Sequence, residues 1–392
     1  MPEISYGGGT AAGFQVVTVT PAGEVMGMEY TLRLVLDDGD FREVSYTPTE
    51  TDASDLIAGL VAVWNQQGDP VFTQILAVDG ETDGNLTLTS KYAGVPFNLE
   101  TEVETGGGTL TAEITTPNYG PNDVGVPENW SLGRLPIAGD DIVIPAGAPA
   151  LLYNLWVLNV APASFIQEEG HIAGMGREGF PVGGVAPRVA LKVNPTTKCE
   201  LRGGGPLDIV DLGAAVVAPL IYHTGTPRVN RSVALYLRGS AMTLVDVRKG
   251  KMRIESGNIT DDLDLSGNSY VEIAAGVGIS ASHACRVMGS LAELRSWAEL
   301  NDVVVYRDAT YRQEEEVYTG DLTMQPGSKV YANAGGSYGP VIAFGGVLYS
   351  NETTLEKTFA SQTENSDEFV HHLLPGLTTF TTPPVQNVQR VA

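Results

Sequence analysis

Three segments of the chain share one short pattern, and its spacing constrains the fold more than any other feature. They are Leu235-Tyr236-Leu237-Arg238-Gly239-Ser240, Leu263-Asp264-Leu265-Ser266-Gly267-Asn268 and Leu322-Thr323-Met324-Gln325-Pro326-Gly327-Ser328. Each alternates apolar residues, turns at a glycine and resumes with a second apolar strand. Arg286-Val287-Met288-Gly289-Ser290 is a weaker copy. Gly267 and Gly289 stand 22 residues apart, and Gly289 and Gly327 stand 38 apart, two steps of about 19 with Asp308 where the intermediate turn falls. Successive side chains of a strand point to opposite faces, so period-two alternation marks one buried face. When such strands recur every ~20 residues, each unit is too thin to bury its apolar row alone and must stack on the next, which makes a β-solenoid. The expected fold is therefore mainly β, with a parallel β-helix over residues 140–334. Roughly ten coils at ~4.8 Å each give a rod of about 45–50 Å. The competing arrangement is a two-sheet sandwich.

Composition agrees with many turns and few long helices: 46 Gly and 23 Pro in 392 residues, with 18% charged. Lys+Arg 23 against Asp+Glu 47 gives a net charge of −24, which disfavours nucleic acid and anionic lipid as partners, because both are bound by neutralising their negative charge. The plain reading of that charge is solubility. No apolar run reaches the ~18 residues of a membrane span, so no membrane partner is expected. Met1-Pro2-Glu3-Ile4-Ser5-Tyr6 has neither the basic region nor the apolar core of a signal peptide. Cys199 and Cys285 lie 86 apart in apolar alternations and are expected as free, buried thiols, which leaves the redox compartment open.

In chain order, residues 1–13, with Gly7-Gly8-Gly9, read as a flexible or draped arm. Residues 14–116 read as an α+β domain. Its strands are expected at Gln15–Thr20, Tyr30–Leu36, Phe41–Tyr46, Val71–Val78, Asn85–Ser90 and Phe97–Val103, with Asp37-Asp38-Gly39-Asp40 as a hairpin turn rather than a calcium loop. One helix follows Thr51 as N-cap, buries Leu56, Leu60 and Trp64 on one face, and stops at Gly68 and Pro70. Residues 117–139 read as linker and cap, with Trp130 suited to plug the open end of the first coil. From Ile142, apolar strands are expected at Ile142–Ile144, Leu151–Val160, Phe165-Ile166, Val189–Val193, Cys199–Leu201, Leu207–Leu212, Val216–Tyr222 and Ser232–Leu237. Gly170–Pro187 reads as a loop inserted into a coil; it precedes no helix and lacks a Gly-Lys-Ser/Thr ending, so it is not a phosphate cradle. Residues 290–300 fit either a capped helix or a coil strand, and the strand is favoured because Val303-Val304-Val305 resumes the ladder in step. Residues 335–392 read as a change of pattern: a few strands and an extended Thr/Pro/Val-rich assembly arm.

Three stretches carry a resemblance. The strand hairpin, the helix ending in Trp64-Asn65 and then Asn85-Leu86-Thr87-Leu88-Thr89-Ser90-Lys91-Tyr92-Ala93-Gly94-Val95-Pro96-Phe97 resemble a small domain recurrent in tailed-bacteriophage tail and virion proteins. Glu128-Asn129-Trp130-Ser131-Leu132-Gly133-Arg134-Leu135-Pro136, with Gly139-Asp140-Asp141-Ile142-Val143-Ile144, is similar to the cap that opens β-solenoid domains in phage-encoded and surface-displayed proteins. The run from Leu191 to Gly257, above all Ala234–Ser240 and Val245–Gly250, looks like phage or prophage solenoid proteins. The resemblance implies a non-enzymatic virion structural protein assembled in the host cytoplasm, acting as capsid-surface decoration (cement or head-fibre). Its implied partners are the major capsid or other virion proteins, together with further copies of itself, a trimer being the related architecture. The alternative is a tail or spike protein that binds or hydrolyses host cell-surface glycan; an adhesin is disfavoured.

No catalytic, cofactor or metal site is expected from the residues. Tailspike glycosidases are solenoids too, so paired acids matter. Glu314-Glu315-Glu316, near Tyr306, Tyr311 and Tyr318, and Asp261-Asp262 with Asp264 are the candidates, and a solvated face is the plainer account of both. Trp130 has a minor alternative as a sugar platform. His171, His223, His283, His371 and His372 show no metal-ligand spacing.

Overall fold

The computed structural model describes residues 2–23, 26–36, 40–80, 84–105, 108–179, 187–214, 216–228, 231–280, 284–315, 318–366, 368–373 and 377–386. The chain is mainly β, 47% strand and 5% helix, and residues from about 141 to 380 wind into a parallel β-solenoid of about 11 turns.

The residues before it form two antiparallel sheets around one helix. Tyr30–Val35 sits between Phe41–Tyr46 and Asn98–Val103. Val16–Ala22 sits between Asn85–Ser90 and Thr109–Thr116, with Ile75–Gly80 at the edge. Helix Ala53–Asn65 lays Leu56, Ile57, Leu60 and Trp64 into their shared core. Its N-cap is Asp52, whose carboxylate accepts from Ser54 N–H, and not Thr51. The run from Val71 opens as a 3-10 turn, Phe72–Gln74, before the strand begins at Ile75. That turn lets Phe72 meet Trp64 edge to face at 4.8 Å. The turn residues Asp37, Asp38 and Gly39 lie outside the described residues, but the strands flanking them pair in hairpin register, Val35 opposite Phe41.

In the solenoid each coil contributes strands to as many as three faces. On the first face Ile142 pairs with Phe165 and Phe165 with Cys199; further along, Leu263, Cys285, Val303, Leu322 and Val341 pair in succession. On the second face Met252, Val271, Leu294, Tyr311, Val330 and Leu348 do the same. All are fully buried inward rows, each side chain contributing roughly 1.5–3 kcal/mol relative to exposure. The third face is discontinuous: Val216–Val217, Ala241–Met242, Asn258–Ile259 and Gly278–Ile279 early, then Gly336–Tyr338, Lys357–Phe359 and Thr378–Phe380. Parallel registry between successive coils excludes a sandwich; the one antiparallel pair among the described residues there, Arg177–Glu178 with Arg188–Val189, lies in the inserted loop.

The turns explain the period. Gly267, Gly289 and Gly327 have φ of 62°, 105° and 78°, and Asp308 reaches 63°, one of two non-glycine residues with positive φ among those described. A Cβ on Gly327 would lie 2.7 Å from Asp308 Oδ1, so these turns stack directly on one another. The inserted loop from Gly170 accounts for the long step of 34 residues between Phe165 and Cys199. Of that loop, residues 180–186 lie outside those described. Residues 290–300 form a coil strand, Glu293–Ser296, with Leu294, Ser296 and Ala298 inward.

Two further expectations differ from the fold. Leu151–Val160 is not a strand: Leu151 makes an isolated bridge to Met175, and turns follow. Nor does the ladder break after Ala334. Val341–Ala343, Gly346–Tyr349, Gln362–Glu364, Phe369–His372 and Val385–Gln386 continue it in register. The inward positions there are partly polar (Ser350, Lys357 and Gln362, all buried), which hides the alternation that marks earlier coils. Lys357 donates from Nζ to Thr353 Oγ1 at 2.8 Å and to the Leu355 and Thr353 carbonyls.

Residues 3–5 are draped over the opposite end as an added strand, Ile4 beside Ile142. Tyr6 meets Trp130 edge to face at 4.9 Å, and both are buried in the solenoid core. Trp130 Nε1 donates to the Val124 carbonyl at 2.9 Å. Arg134 clasps Asp140 in a two-pronged ion pair at 2.7 and 2.9 Å, which holds the Asp140 carboxyl below its usual range.

Both thiols lie in the first face's inward row. Burial pushes Cys199 and Cys285 up to about 12. Since the thiolate is the reactive form, neither should react with an aromatic disulfide reagent in the native protein, and both should react in guanidinium. Rapid native labelling would contradict the packing described.

Candidate functional site

The acids singled out in sequence do not assemble with their neighbouring tyrosines. Tyr311 and Tyr318 point into the core and are fully buried. Glu314 points outward, where Arg295 Nε binds it at 2.6 Å and Asn333 Nδ2 at 3.0 Å; Glu316 lies outside the described residues. Asp262 and Asp264 both bind Arg286, at 2.5 and 3.0 Å. Burial raises the Asp264 carboxyl, with Arg286 opposing that rise. Trp130, being buried, offers no face to a sugar.

What the coils do build is an outward row on the second face. Tyr236, Arg253, Glu272, Arg295, Arg312, Tyr331, Tyr349 and His372 occupy one register position on successive coils. Beside it runs a second row containing Tyr270 and Glu293. Guanidiniums pair with carboxylates one coil away. Arg253 binds Glu272 at 2.9 Å, Arg312 binds Glu293 at 3.0 Å, and Arg238 binds Glu255 at 2.7 Å. Arg253 and Arg295 flank the Trp297 ring, Arg312 lies 3.8 Å over Tyr331, and Tyr331, Tyr349 and His372 stack at 4.7 and 5.0 Å. Sequence reading missed this row, although a signal exists: three of its ion pairs join residues 19 apart.

A second cluster lies inside the rod, where the inserted loop returns. Asp208 Oδ2 accepts from His223 Nε2 at 2.7 Å and from Gln167 Nε2 at 3.0 Å, while Oδ1 accepts from Met175 N–H at 2.8 Å. Gly225 N–H donates to His223 Nδ1, so the proton of that ring sits on Nε2, facing Asp208. Gln167 Nε2 also donates to His171 Nδ1 at 3.0 Å, and burial lowers the basicity of that imidazole. Sequence brought none of these together. All four side chains are fully buried, so the cluster reaches no solvent-borne substrate. Among the described residues no group of His, Cys, Asp and Glu is placed to hold a metal ion.

No family model, no curated protein and no solved structure matches the chain. Glu255, Glu272, Glu293 and Glu314 on the second face each bind a guanidinium, an arrangement that ties coil to coil.

His371 and His372 diverge, as a strand requires. His372 joins the outer stack, while His371 packs edge-on against Phe359 and bonds Gln362 at 2.8 Å and Ser350 at 2.9 Å. Burial, aided by His372, lowers His371 from 6.5 to about 4. The unfolded chain therefore takes up a proton below about 6.5 that the folded chain refuses until about 4. Stability contributed here is complete above that window and declines as pH falls through it, by about 2 kcal/mol at pH ~5. Urea unfolding of the wild type and of His371→Gln at pH ~7.5 and ~5 should show the variant losing less on acidification. Equal losses would remove this account.

Proposed function

We propose that the chain is a structural protein of a tailed-bacteriophage virion, displayed on the capsid surface as cement or head-fibre decoration and acting through assembly contacts, with no catalysis. The observation that carries this reading is the rod itself. About 11 coils are plugged at one end by residues 3–6 and Trp130 and laced outside by ion pairs between coils. Such a body is stiff, resists proteases and presents long side faces to neighbours. The resemblance of 120–335 to phage solenoid proteins, and of the α+β domain to virion domains, supports the virion context. The α+β domain would anchor the rod, and copies of the chain would associate, as a trimer in the related architecture. Electron microscopy of particles labelled with an antibody to this chain tests it. Label on the head lattice is expected; label confined to the tail overturns the capsid-surface role.

A second reading, recognition of host-surface glycan by a tail or spike protein, is favoured by one feature: a polar cavity with guanidiniums and a tyrosine beside the outward row. Its hydrolytic form predicts new reducing ends when the protein is incubated with host polysaccharide.

A further inference from the structure

We propose that this cavity is a binding site for an acidic sugar unit, a hydroxylated ring bearing a carboxylate. The inference rests on the glycan-recognition reading and names its ligand class. The cavity has a volume of about 460 Å³ and is lined by Arg188, Arg231, Arg253, Tyr236, Glu255 and Glu272. In a chain of net charge −24, four guanidiniums meet here around three carboxylates. Arg188 and Arg238 share Glu255, Arg231 binds Glu178, and Arg253 binds Glu272. The local balance is positive where the molecule as a whole is negative. Two donors, Arg188 Nε and Arg231 Nη1, are shielded from solvent without an acceptor. A buried N–H lacking a partner is costly, more so on a charged group, and a ligand carboxylate toward which the two guanidiniums turn removes that cost.

The remaining walls fit the rest of a sugar. Glu255 and Glu272 are acceptors for ring hydroxyls, and neither is strongly exposed, at 12% and 5% of the side chain. The Arg188 guanidinium lies 4.0 Å over the Tyr236 ring, which holds the cation rigidly at the wall. From Arg253 the outward row leads on through Glu272, Arg295 and Arg312, so a polymer of such sugars can lie along the rod with its repeats meeting successive coils ~4.8 Å apart. The long-range repulsion of an acidic protein is screened within about 8 Å at physiological salt, and contacts made inside the cavity are screened much less.

Titration calorimetry of the full chain against sodium glucuronate, glucose and sodium sulfate in ~0.15 M salt tests the proposal. Glucuronate should bind, with glucose and sulfate at least about tenfold weaker, the loss of one charge-assisted contact. Arg188→Gln and Arg231→Gln should each weaken glucuronate by about tenfold or more while circular dichroism stays native. If the loss of stacking on Tyr236 prevents Arg188→Gln from folding, Arg231→Gln alone carries the comparison. No binding of glucuronate, equal binding of sulfate, or unchanged affinity in the folded variants overturns the site. Co-sedimentation with host polysaccharide separates the two ideas. If wild type and variants bind the polymer equally, the cavity is not the site and glycan recognition stands. If the wild type binds none, glycan recognition falls, and the calorimetry decides the cavity by itself.

Discussion

Replacing Trp130 with alanine is expected to cost about 3–5 kcal/mol, the range for emptying a buried aromatic site. Three losses combine. The ring leaves a void against Tyr6, the Val124 carbonyl loses the Nε1 donor, and the bridge between Tyr6 and Trp130 loses its packing. The effect should also be localised, because a coil is held chiefly by its neighbours. Residues 1–13 and 117–139 are expected to become protease-sensitive while the coils beyond Leu263 keep their protection from amide exchange. Trp130→Phe keeps most of the volume and forfeits the hydrogen bond, so a loss nearer 1–2 kcal/mol is expected. Denaturant unfolding of both variants, with proteolysis mapped by mass, measures this. If Trp130→Ala were as stable as the wild type, the terminal strand and Trp130 would be ornaments rather than the cover of an open sheet edge.

The solenoid was legible because its signal is geometric and repeated. Gly267, Gly289 and Gly327 mark left-handed turns, and Asp308, placed at the missing step by spacing alone, adopts the same backbone with φ of 63°. Leu263, Cys285, Val303 and Leu322 show why: one inward row has one chemistry, and its period survives changes of residue. Where the interior turns polar, legibility fails. Ser350, Lys357 and Gln362 face inward in the last coils, and Lys357 spends its charge on carbonyls and a threonine hydroxyl within its own coil. Nothing in that composition distinguishes a polar core from an extended arm. Strand Thr109–Thr116 was missed for a related reason: threonines dilute the alternation of Leu110, Ala112 and Ile114. The outward row was hidden differently. Its pairs are distant along the chain but adjacent across one coil, so Arg253 with Glu272 emerges only after the sequence is folded back at a step of 19. The Asp208 cluster lay beyond reach, since it depends on how an irregular loop of unequal length returns to the axis.

That cluster makes the sharpest remaining test. Asp208 is fully buried and accepts three hydrogen bonds, from His223, Gln167 and Met175 N–H, on its two oxygens. Asp208→Asn keeps the shape but replaces one accepting oxygen with an NH2. Either the amide faces Met175 N–H, or it faces both the His223 and Gln167 donors; in each orientation donors oppose donors. Removing one partner of a buried, hydrogen-bonded group of this kind costs about 3–5 kcal/mol, more than the conservative change suggests. Asp208→Ala should be no worse, because the void at least lets a water reach the orphaned donors. A pairing of His223→Gln with Asp208→Asn discriminates further. Glutamine can turn its carbonyl toward the new amide, so the double variant should recover part of the loss, and a double-mutant cycle reads the coupling directly. The unfolding midpoint in urea and the exchange rates of Met175 and Gly225 amides are the measurements. Losses that simply add in the cycle would mean that His223 and Asp208 do not depend on each other, and that the coils around the inserted loop are held by apolar packing alone.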